Sequence, residues 1–317
     1  MKHGEGTRQL ALLPMFHIYG FLMCINVGLS KGWTMTVLNG FVPDSFLGTI
    51  QDHKIQIIHL VPPIFIFLAK HPKVDEYDLS SLENLFSGAA PLMKDVTMQV
   101  QGRLPSMKPV RQLYGMTELS PVALGDLEDP TIGSCGVLIP NCEMKFLCVH
   151  TQAEVAPGEE GEVCVRGPNV MKEYYKRPEE TDASFTDDGF LRTGDVGYMD
   201  KNGRVFIVDR MKELIKVKGF QVAPTELEDL LLSHASVDDS AVIARPDEFA
   251  GELPKAYVVL KKGHSITEED MREWVNSSVS SHKKLVEVEF IAQIPKNPSG
   301  KILRRVLRDM EKEKLNL

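Results

Sequence analysis

Between residues 44 and 114 the sequence alternates between helix-like and strand-like runs, and no other feature restricts the fold as much. Residues 44–54 carry a helical pattern, and residues 55–61 follow as an apolar run that suits a fully buried strand. A short helix fits residues 63–70. Residues 82–86 give a second strand, which ends in Ser87-Gly88-Ala89-Ala90. A helix over 94–103 and a strand over 110–114 continue the series. Such alternation predicts a parallel sheet covered by helices, with a ligand crevice where the strands end, at Gly88 and Gly115.

The texture changes over residues 121–208. Short β-rich runs at 143–149, 161–166 and 204–208 sit between glycine and proline punctuation, which reads as a small antiparallel barrel or sheet. Beyond residue 209 the pattern resets. Helices are predicted over 224–232, 267–280 and 301–313, and strands over 239–245, 256–261 and 286–291, a compact α+β domain of about 100 residues. Two or three compact units suit a chain of 317 residues.

Composition excludes several classes. With 36 Lys+Arg against 44 Asp+Glu the formal net charge is -8, the wrong sign for a general nucleic-acid binder. The five cysteines form no Cys-x-x-Cys pair, which argues against a zinc site and a disulfide framework and for a reducing compartment. The apolar stretch at 10–29 is interrupted by Pro14, His17, Tyr19 and Asn26. The stretch at 55–69 is broken by His59, Pro62 and Pro63 and is too short to span a bilayer. Both read as buried elements, and no transmembrane segment is expected.

Four motifs carry chemistry. In Tyr114-Gly115-Met116-Thr117-Glu118 the glycine can admit a ligand to the backbone, the threonine can bind a phosphate oxygen, and the carboxylate can hold magnesium. The alternative is a strand-to-loop turn with polar residues in water. In Arg192-Thr193-Gly194-Asp195 the carboxylate can accept both hydroxyls of a ribose, or simply cap a turn. Lys212, Lys216 and Lys218 are separated by even numbers of positions in a strand-like run and would share one face, a solvated one unless Gly219-Phe220-Gln221 behind them marks a site. Lys301 closes Pro298-Ser299-Gly300-Lys301 at the start of the last predicted helix, where it opposes the helix dipole and so points to a ligand. Arg304, Arg305 and Arg308 read as a solvated face. Ile302, Leu303, Val306, Leu307 and Met310 read as that helix's buried stripe. The segment is not a Walker loop, because Ile302 stands where Ser or Thr is needed.

In this order the motifs resemble the adenylate-forming enzymes, the family of acyl-CoA synthetases, 4-coumarate–CoA ligases and firefly luciferase. The resemblance runs from Leu13-Pro14-Met15-Phe16-His17-Ile18-Tyr19-Gly20 through Ser87-Gly88-Ala89-Ala90-Pro91 and Gly161-Glu162-Val163-Cys164-Val165-Arg166-Gly167 to Pro298-Ser299-Gly300-Lys301. Lys212-Glu213-Leu214-Ile215-Lys216 and Lys218-Gly219-Phe220-Gln221-Val222-Ala223-Pro224 resemble the 4-coumarate–CoA ligase and luciferase-like branch most.

The resemblance implies an incomplete large α/β domain with a parallel sheet over residues 1–120 and a β-barrel subdomain over 121–208. A hinge over 209–212 and a separate, mobile α+β domain over 213–317 would follow. It implies ATP/AMP, Mg2+ and coenzyme A, and a small carboxylic acid as substrate. His17, Tyr19, Ala90 and Met116 would line the acyl pocket, with Gly88 and Ala89 along the acyl group and adenine. Gln112, Tyr114, Gly115 and Thr117 would hold the nucleotide, and Glu118 the magnesium. Asp195 and Arg210 would grip the ribose, and Lys212 would be the hinge. Lys301 would serve adenylation. Lys216 and Gln221 would replace it for thioester formation, with Lys218 and Gly219 at coenzyme A.

Family members carry a Ser/Thr/Gly-rich phosphate loop upstream of the segment that here begins at Leu13, and the expectation is that these residues are the C-terminal part of such a ligase. A non-catalytic binder of AMP, acyl groups or CoA, or a protein confined to the thioester half-reaction, is the alternative. A non-CoA acceptor is the chemical runner-up. Leu113 stands where many relatives have glycine. Cytoplasm is the expected location, with the peroxisome as the alternative, since Leu315-Asn316-Leu317 is a poor likeness of a peroxisomal Ser-Lys-Leu address.

Overall fold

The computed structural model describes residues 6–125, 131–297 and 300–315. Asn316 and Leu317 of the C-terminal tripeptide, and Pro298 and Ser299 of the lysine loop, lie outside the described residues. Contacts divide the chain into two compact units. One comprises Met1–Thr193 with Gly197–Ile207 and Pro298–Gly300, and the other Gly194–Val196 with Val208–Asn297 and Lys301–Leu317.

The first unit is built on one long sheet. Its parallel half comprises β1 (Arg8–Ala11), β2 (Thr34–Val37), β3 (Ile57–Leu60), β4 (Asn84–Ser87) and β5 (Arg111–Met116), in the spatial order β2-β1-β3-β4-β5. The crossovers are a π-helical segment, Gly20–Asn26, running into α1 (Val27–Ser30), then α2 (Pro43–His53), α3 (Pro62–Lys70) and α4 (Lys94–Arg103). Prolines start α2 and α3, where the first-turn N–H groups need no partner. Strand alternation sends Leu10, Ile58, Leu60 and Leu85 into one core with Phe46 and Leu47 of α2, Phe65 of α3 and Val100 of α4. The opposite face carries Gln9, Ile57, His59 and Phe86, and Trp33 packs there with Ile57 and Phe86.

The predicted β-rich region continues this sheet. It comprises β6 (Ser120–Leu124), β7 (Gly136–Leu138), β8 (Glu143–Leu147), β9 (Gly161–Arg166), β10 (Leu191–Met199) and β11 (Arg204–Arg210), with the short α5 (Pro178–Ala183) between β9 and β10. The order runs β5-β6-β7-β11-β10-β9-β8. The pairs β5–β6, β6–β7, β7–β11 and β8–β9 are antiparallel.

The second unit has its own sheet, β13-β12-β15-β14, with β16 beside β15. Its elements are β12 (Ile215–Val217), β13 (Phe220–Val222), α6 (Pro224–Ser233), β14 (Val237–Asp247), β15 (Gly251–Leu260), α7 (Glu268–Ser278), β16 (Glu287–Phe290) and α8 (Arg304–Leu315). Leu227, Leu231, Met271 and Val275 from the helices pack on Val242, Ala256 and Val258. Among the described residues no helix is long and apolar enough to cross a membrane.

Candidate functional site

In the first unit the candidate residues gather where β3, β4 and β5 end. The chain leaves β4 through buried Gly88 and exposed Ala89, whose φ is 70°. A Cβ on Gly88 would meet the Tyr19 ring at 2.9–3.0 Å, so glycine is what lets that ring lie against the turn. The Tyr19 hydroxyl donates to the Phe86 carbonyl at 3.2 Å, and its backbone N–H donates to His17 Nδ1 at 3.2 Å. Burial raises the Tyr19 phenol well above the usual tyrosine range. His17, Tyr19 and Ala90 are half-buried, so this corner is a wall that stays accessible.

On β5, Gln112 is buried and its Oε1 accepts the Leu92 N–H at 2.8 Å. Tyr114 packs among Leu119, Val122 and Ala123, with Met116 at the margin of that cluster. Gly115 has a different reason from the one its motif suggests. A Cβ there would fall 2.2 Å from the Ser120 carbonyl oxygen, so the tight β5–β6 hairpin itself demands glycine. Thr117 is exposed. The Glu118 carboxylate accepts the Tyr174 hydroxyl at 2.9 Å. Tyr174 escaped the sequence reading, since it stands 56 positions from Glu118 and no local pattern joins them.

The second unit holds the charged candidates. Asp195 is buried, and Arg210 Nε lies 3.3 Å from its Oδ1. The Met211 N–H donates to the Gly194 carbonyl at 2.8 Å, which ties the chain just after β11 to the middle of β10. Lys301 is half-buried. Burial first, then the positive charge of Arg210, lower its pKa, while Asp195 and Glu213 act the other way.

Lys301 does not stand at a helix start. Its helix, α8, begins at Arg304, and the lysine belongs to the loop before it. There the Asn297 side chain accepts the Lys301 N–H at 2.9 Å, and the Asn297 N–H donates to the Lys301 carbonyl at 3.0 Å. A side-chain-closed loop, rather than a helix dipole, sets this residue.

The three lysines do not share a face. Lys212 lies in a turn, Lys216 on β12, and Lys218 with Gly219 forms the two-residue turn to β13, with φ of 49° and 84°. Positive φ at both turn residues is the type I′ hairpin geometry. Its register sets Lys216 opposite Gln221, so these two candidates project side by side from one face.

Two expectations for α8 are also corrected. Arg304 grips the buried Glu228 carboxylate through two bonds of 2.7 Å, and Arg308 reaches Glu213 at 2.9 Å, leaving Arg305 as the solvated one. Leu307 is buried and Ile302 and Met310 pack beside it, but Leu303 and Val306 are exposed. Partners elsewhere in the fold, not helical spacing, decide which side of α8 faces inward.

Comparison with known proteins assigns the family. Residues 1–175 match the family model for AMP-binding enzyme, and residues 226–301 match that for the AMP-binding enzyme C-terminal domain. The chain belongs to the AMP-binding enzyme family. It is 46% identical over 305 residues to 4-coumarate–CoA ligase 3 of Arabidopsis thaliana, covering 94% of this chain and 54% of that one. It is 44% identical over 312 residues to 4-coumarate–CoA ligase 1 of Petroselinum crispum, covering 96% and 57%.

Among solved structures, ATP-bound MatB from Rhodopseudomonas palustris superposes with a TM-score of 0.91 at 30% identity, covering 98% of this chain and 61% of that one. The o-succinylbenzoate CoA synthetase MenE from Bacillus subtilis, in complex with its acyl-adenylate intermediate, gives 0.83 at 30% identity, covering 97% and 62%. The large sheet unit followed by a smaller C-terminal unit is the adenylate-forming enzyme fold. The chain spans a little over half the length of the curated relatives it matches.

Proposed function

We propose that this chain works in an AMP-forming acid–coenzyme A ligase. A carboxylate oxygen attacks the α-phosphorus of ATP and pyrophosphate leaves. The coenzyme A sulfur then attacks the acyl carbon, the thiol proton is lost, and AMP leaves. The observation that carries this reading is Lys301, a half-buried cation among Arg210, Asp195 and Glu213 whose pKa is lowered chiefly by burial. Adenylation brings two anions together, and a desolvated cation aimed at both stabilises the charge that develops between them.

His17, Tyr19, Gly88, Ala89, Ala90 and Met116 are assigned to the acyl group, and Gln112, Tyr114, Gly115 and Thr117 to the nucleotide. The paired Asp195 and Arg210 take the ribose. Lys216 and Gln221, side by side on their hairpin, take over in the second step, with Lys218 and Gly219 at coenzyme A. Lys212 marks a hinge at 209–212 between residues 1–208 and the domain at 213–317. Glu118 is assigned to Mg2+. Among the described residues no cluster of three or more His, Cys, Asp or Glu side chains could hold a metal ion. One carboxylate plus substrate phosphates suits magnesium, which ordinarily keeps few protein ligands. When bound, the ion offsets phosphate charge. A cytoplasmic location goes with this reading.

The test separates the half-reactions. ATP–pyrophosphate exchange with a panel of carboxylic acids reads adenylation, and coenzyme A added to a supplied acyl-adenylate reads thioester formation. Lys301→Ala is expected to lower adenylation about 10²–10³-fold and to leave the second step unchanged. Adenylation by the wild type should also fall with rising pH before the ordinary lysine value of 10.5, because Lys301 must stay protonated. Equal loss of both half-reactions in Lys301→Ala would overturn the assignment. Thioester formation without any exchange by the wild type would mark the thioester-only alternative.

A further inference from the structure

Glu118, the carboxylate assigned to Mg2+, is held from outside its own hairpin. It lies in the turn between β5 and β6, and the chain at residues 167–177, between β9 and α5, is stitched to that turn. The Asn169 side chain donates to the Leu119 carbonyl at 2.6 Å, and the Met171 N–H donates to the Glu118 carbonyl at 2.7 Å. The Tyr174 hydroxyl then reaches Glu118 Oε1 at 2.9 Å. An ionised carboxylate only accepts, so the phenol is the donor and keeps its proton.

That hydroxyl is not needed to close the segment. The Tyr174 N–H donates to Thr181 Oγ1 at 2.9 Å, and the Tyr174 carbonyl accepts the Arg177 N–H at 3.0 Å. The Thr181 hydroxyl in turn donates to the Arg177 carbonyl at 2.7 Å. Both backbone groups of Tyr174 are therefore bonded at the start of α5, which fixes the ring at its root. The neighbouring Tyr175 is exposed, whereas Tyr174 is half-buried. What the Tyr174 hydroxyl adds is a grip on a carboxylate at the end of a long, flexible side chain. Among the described residues it makes the one hydrogen bond to that carboxylate, and Oε2 keeps its accepting capacity.

Carboxylates that hold metal ions are oriented by hydrogen bonds from a second ring of residues, which orders the side chain before the ion arrives. We propose that Tyr174 is a positioning residue for magnesium: it fixes Glu118 through Oε1 and leaves Oε2 for the ion of the ATP complex. The inference rests on the assignment of Glu118 to Mg2+.

The experiment is calorimetric titration of the full chain with α,β-methylene-ATP, which cannot be cut between the α- and β-phosphorus. One titration contains MgCl2 and the other EDTA, and the ratio of the two dissociation constants reads what the metal contributes. Tyr174→Phe should lower that ratio about tenfold and leave binding in EDTA unchanged. Glu118→Gln should lower it at least as far. Adding Tyr174→Phe to Glu118→Gln should change nothing more, because the hydroxyl acts through the carboxylate. An unchanged ratio in Tyr174→Phe, an equal loss with and without metal, or a further loss in the double variant overturns this inference alone. Failure of Tyr174→Phe to fold, read by circular dichroism, would make the hydroxyl a structural group and overturn it as well. A wild type that binds no nucleotide, or whose nucleotide magnesium does not tighten, overturns the Glu118 assignment and the inference with it.

Discussion

The centre of the large sheet and the sheet of the C-terminal unit both bury polar side chains, and they treat them in opposite ways. In the C-terminal unit, Lys255 is almost wholly enclosed, yet Glu311 meets it at 2.5 Å, Glu287 at 2.8 Å and Glu289 at 3.0 Å. The Tyr257 hydroxyl donates to Glu311 at 3.0 Å, and Arg245 reaches Glu287 and Glu311. On the large sheet, by contrast, His59, the Gln9 Oε1 and the Ser87 hydroxyl have no hydrogen-bond partner among the described residues. A closed network fixes α8 onto its sheet and has no capacity left for a ligand. Unsatisfied groups near a strand end retain theirs. Burial alone therefore says little about where a site is, and the state of the hydrogen bonds says more.

That contrast can be broken by substitution. After the loss of adenylation expected for Lys301→Ala, the largest effect should come from Glu311→Ala, which removes a carboxylate shared by Lys255, Tyr257 and Arg245. Lys255 keeps Glu287 and Glu289, so the loss is that of buried hydrogen bonds to a charged group, about 1.5–3 kcal/mol, readable in urea unfolding. A loss below about 1 kcal/mol would put this network among ordinary surface pairs.

The opposite behaviour is expected at His59. Its folded pKa of about 3 lies below the ordinary 6.5, so between those values the unfolded chain binds the extra proton. Stability from this group is complete above pH 6.5 and falls with pH through that window, by about 1.4 kcal/mol per unit. His59→Phe should lose that part of the slope while matching or exceeding the wild type at pH 7. Parallel pH–stability curves for the two proteins would show that the imidazole is not held neutral.

The smallest effects sharpen the comparison between two neighbouring residues of one helix. Arg305, about 90% exposed and 3.8 Å from Asp309, should cost no more than about 0.5 kcal/mol on change to alanine. Its neighbour Arg304 should cost several times more, because Glu228 would be left buried and unpaired. Equal melting shifts for the two variants would remove the distinction.

Much of the fold was legible locally. Residues 94–103 and 161–166 form a helix and a strand with the bounds their patterns imply, since apolar periodicity and flanking turn residues act within a few positions. The π-helical turn at Gly20–Asn26 was not legible, because nothing in an apolar run distinguishes its hydrogen-bond step from an ordinary helix. Motif order placed the candidate site residues along the chain, but not what holds them. The partner of Glu118 is Tyr174, and the need for Gly115 comes from Ser120.

What the sequence by itself determined was the alternation of elements, the change of texture after residue 120, and the ordered motifs that mark the family. These depend on residue type and near-neighbour spacing. What only the tertiary structure decided was the partnership of each polar group. It took Lys301 off a helix end and onto Asn297, separated three lysines that the sequence pattern had put on one face, joined Arg304 to Glu228 across 76 positions, and left His59 with no hydrogen-bond partner among the described residues. Those outcomes turn on which distant side chain arrives within about 3 Å of a buried atom, and local spacing carries no record of that.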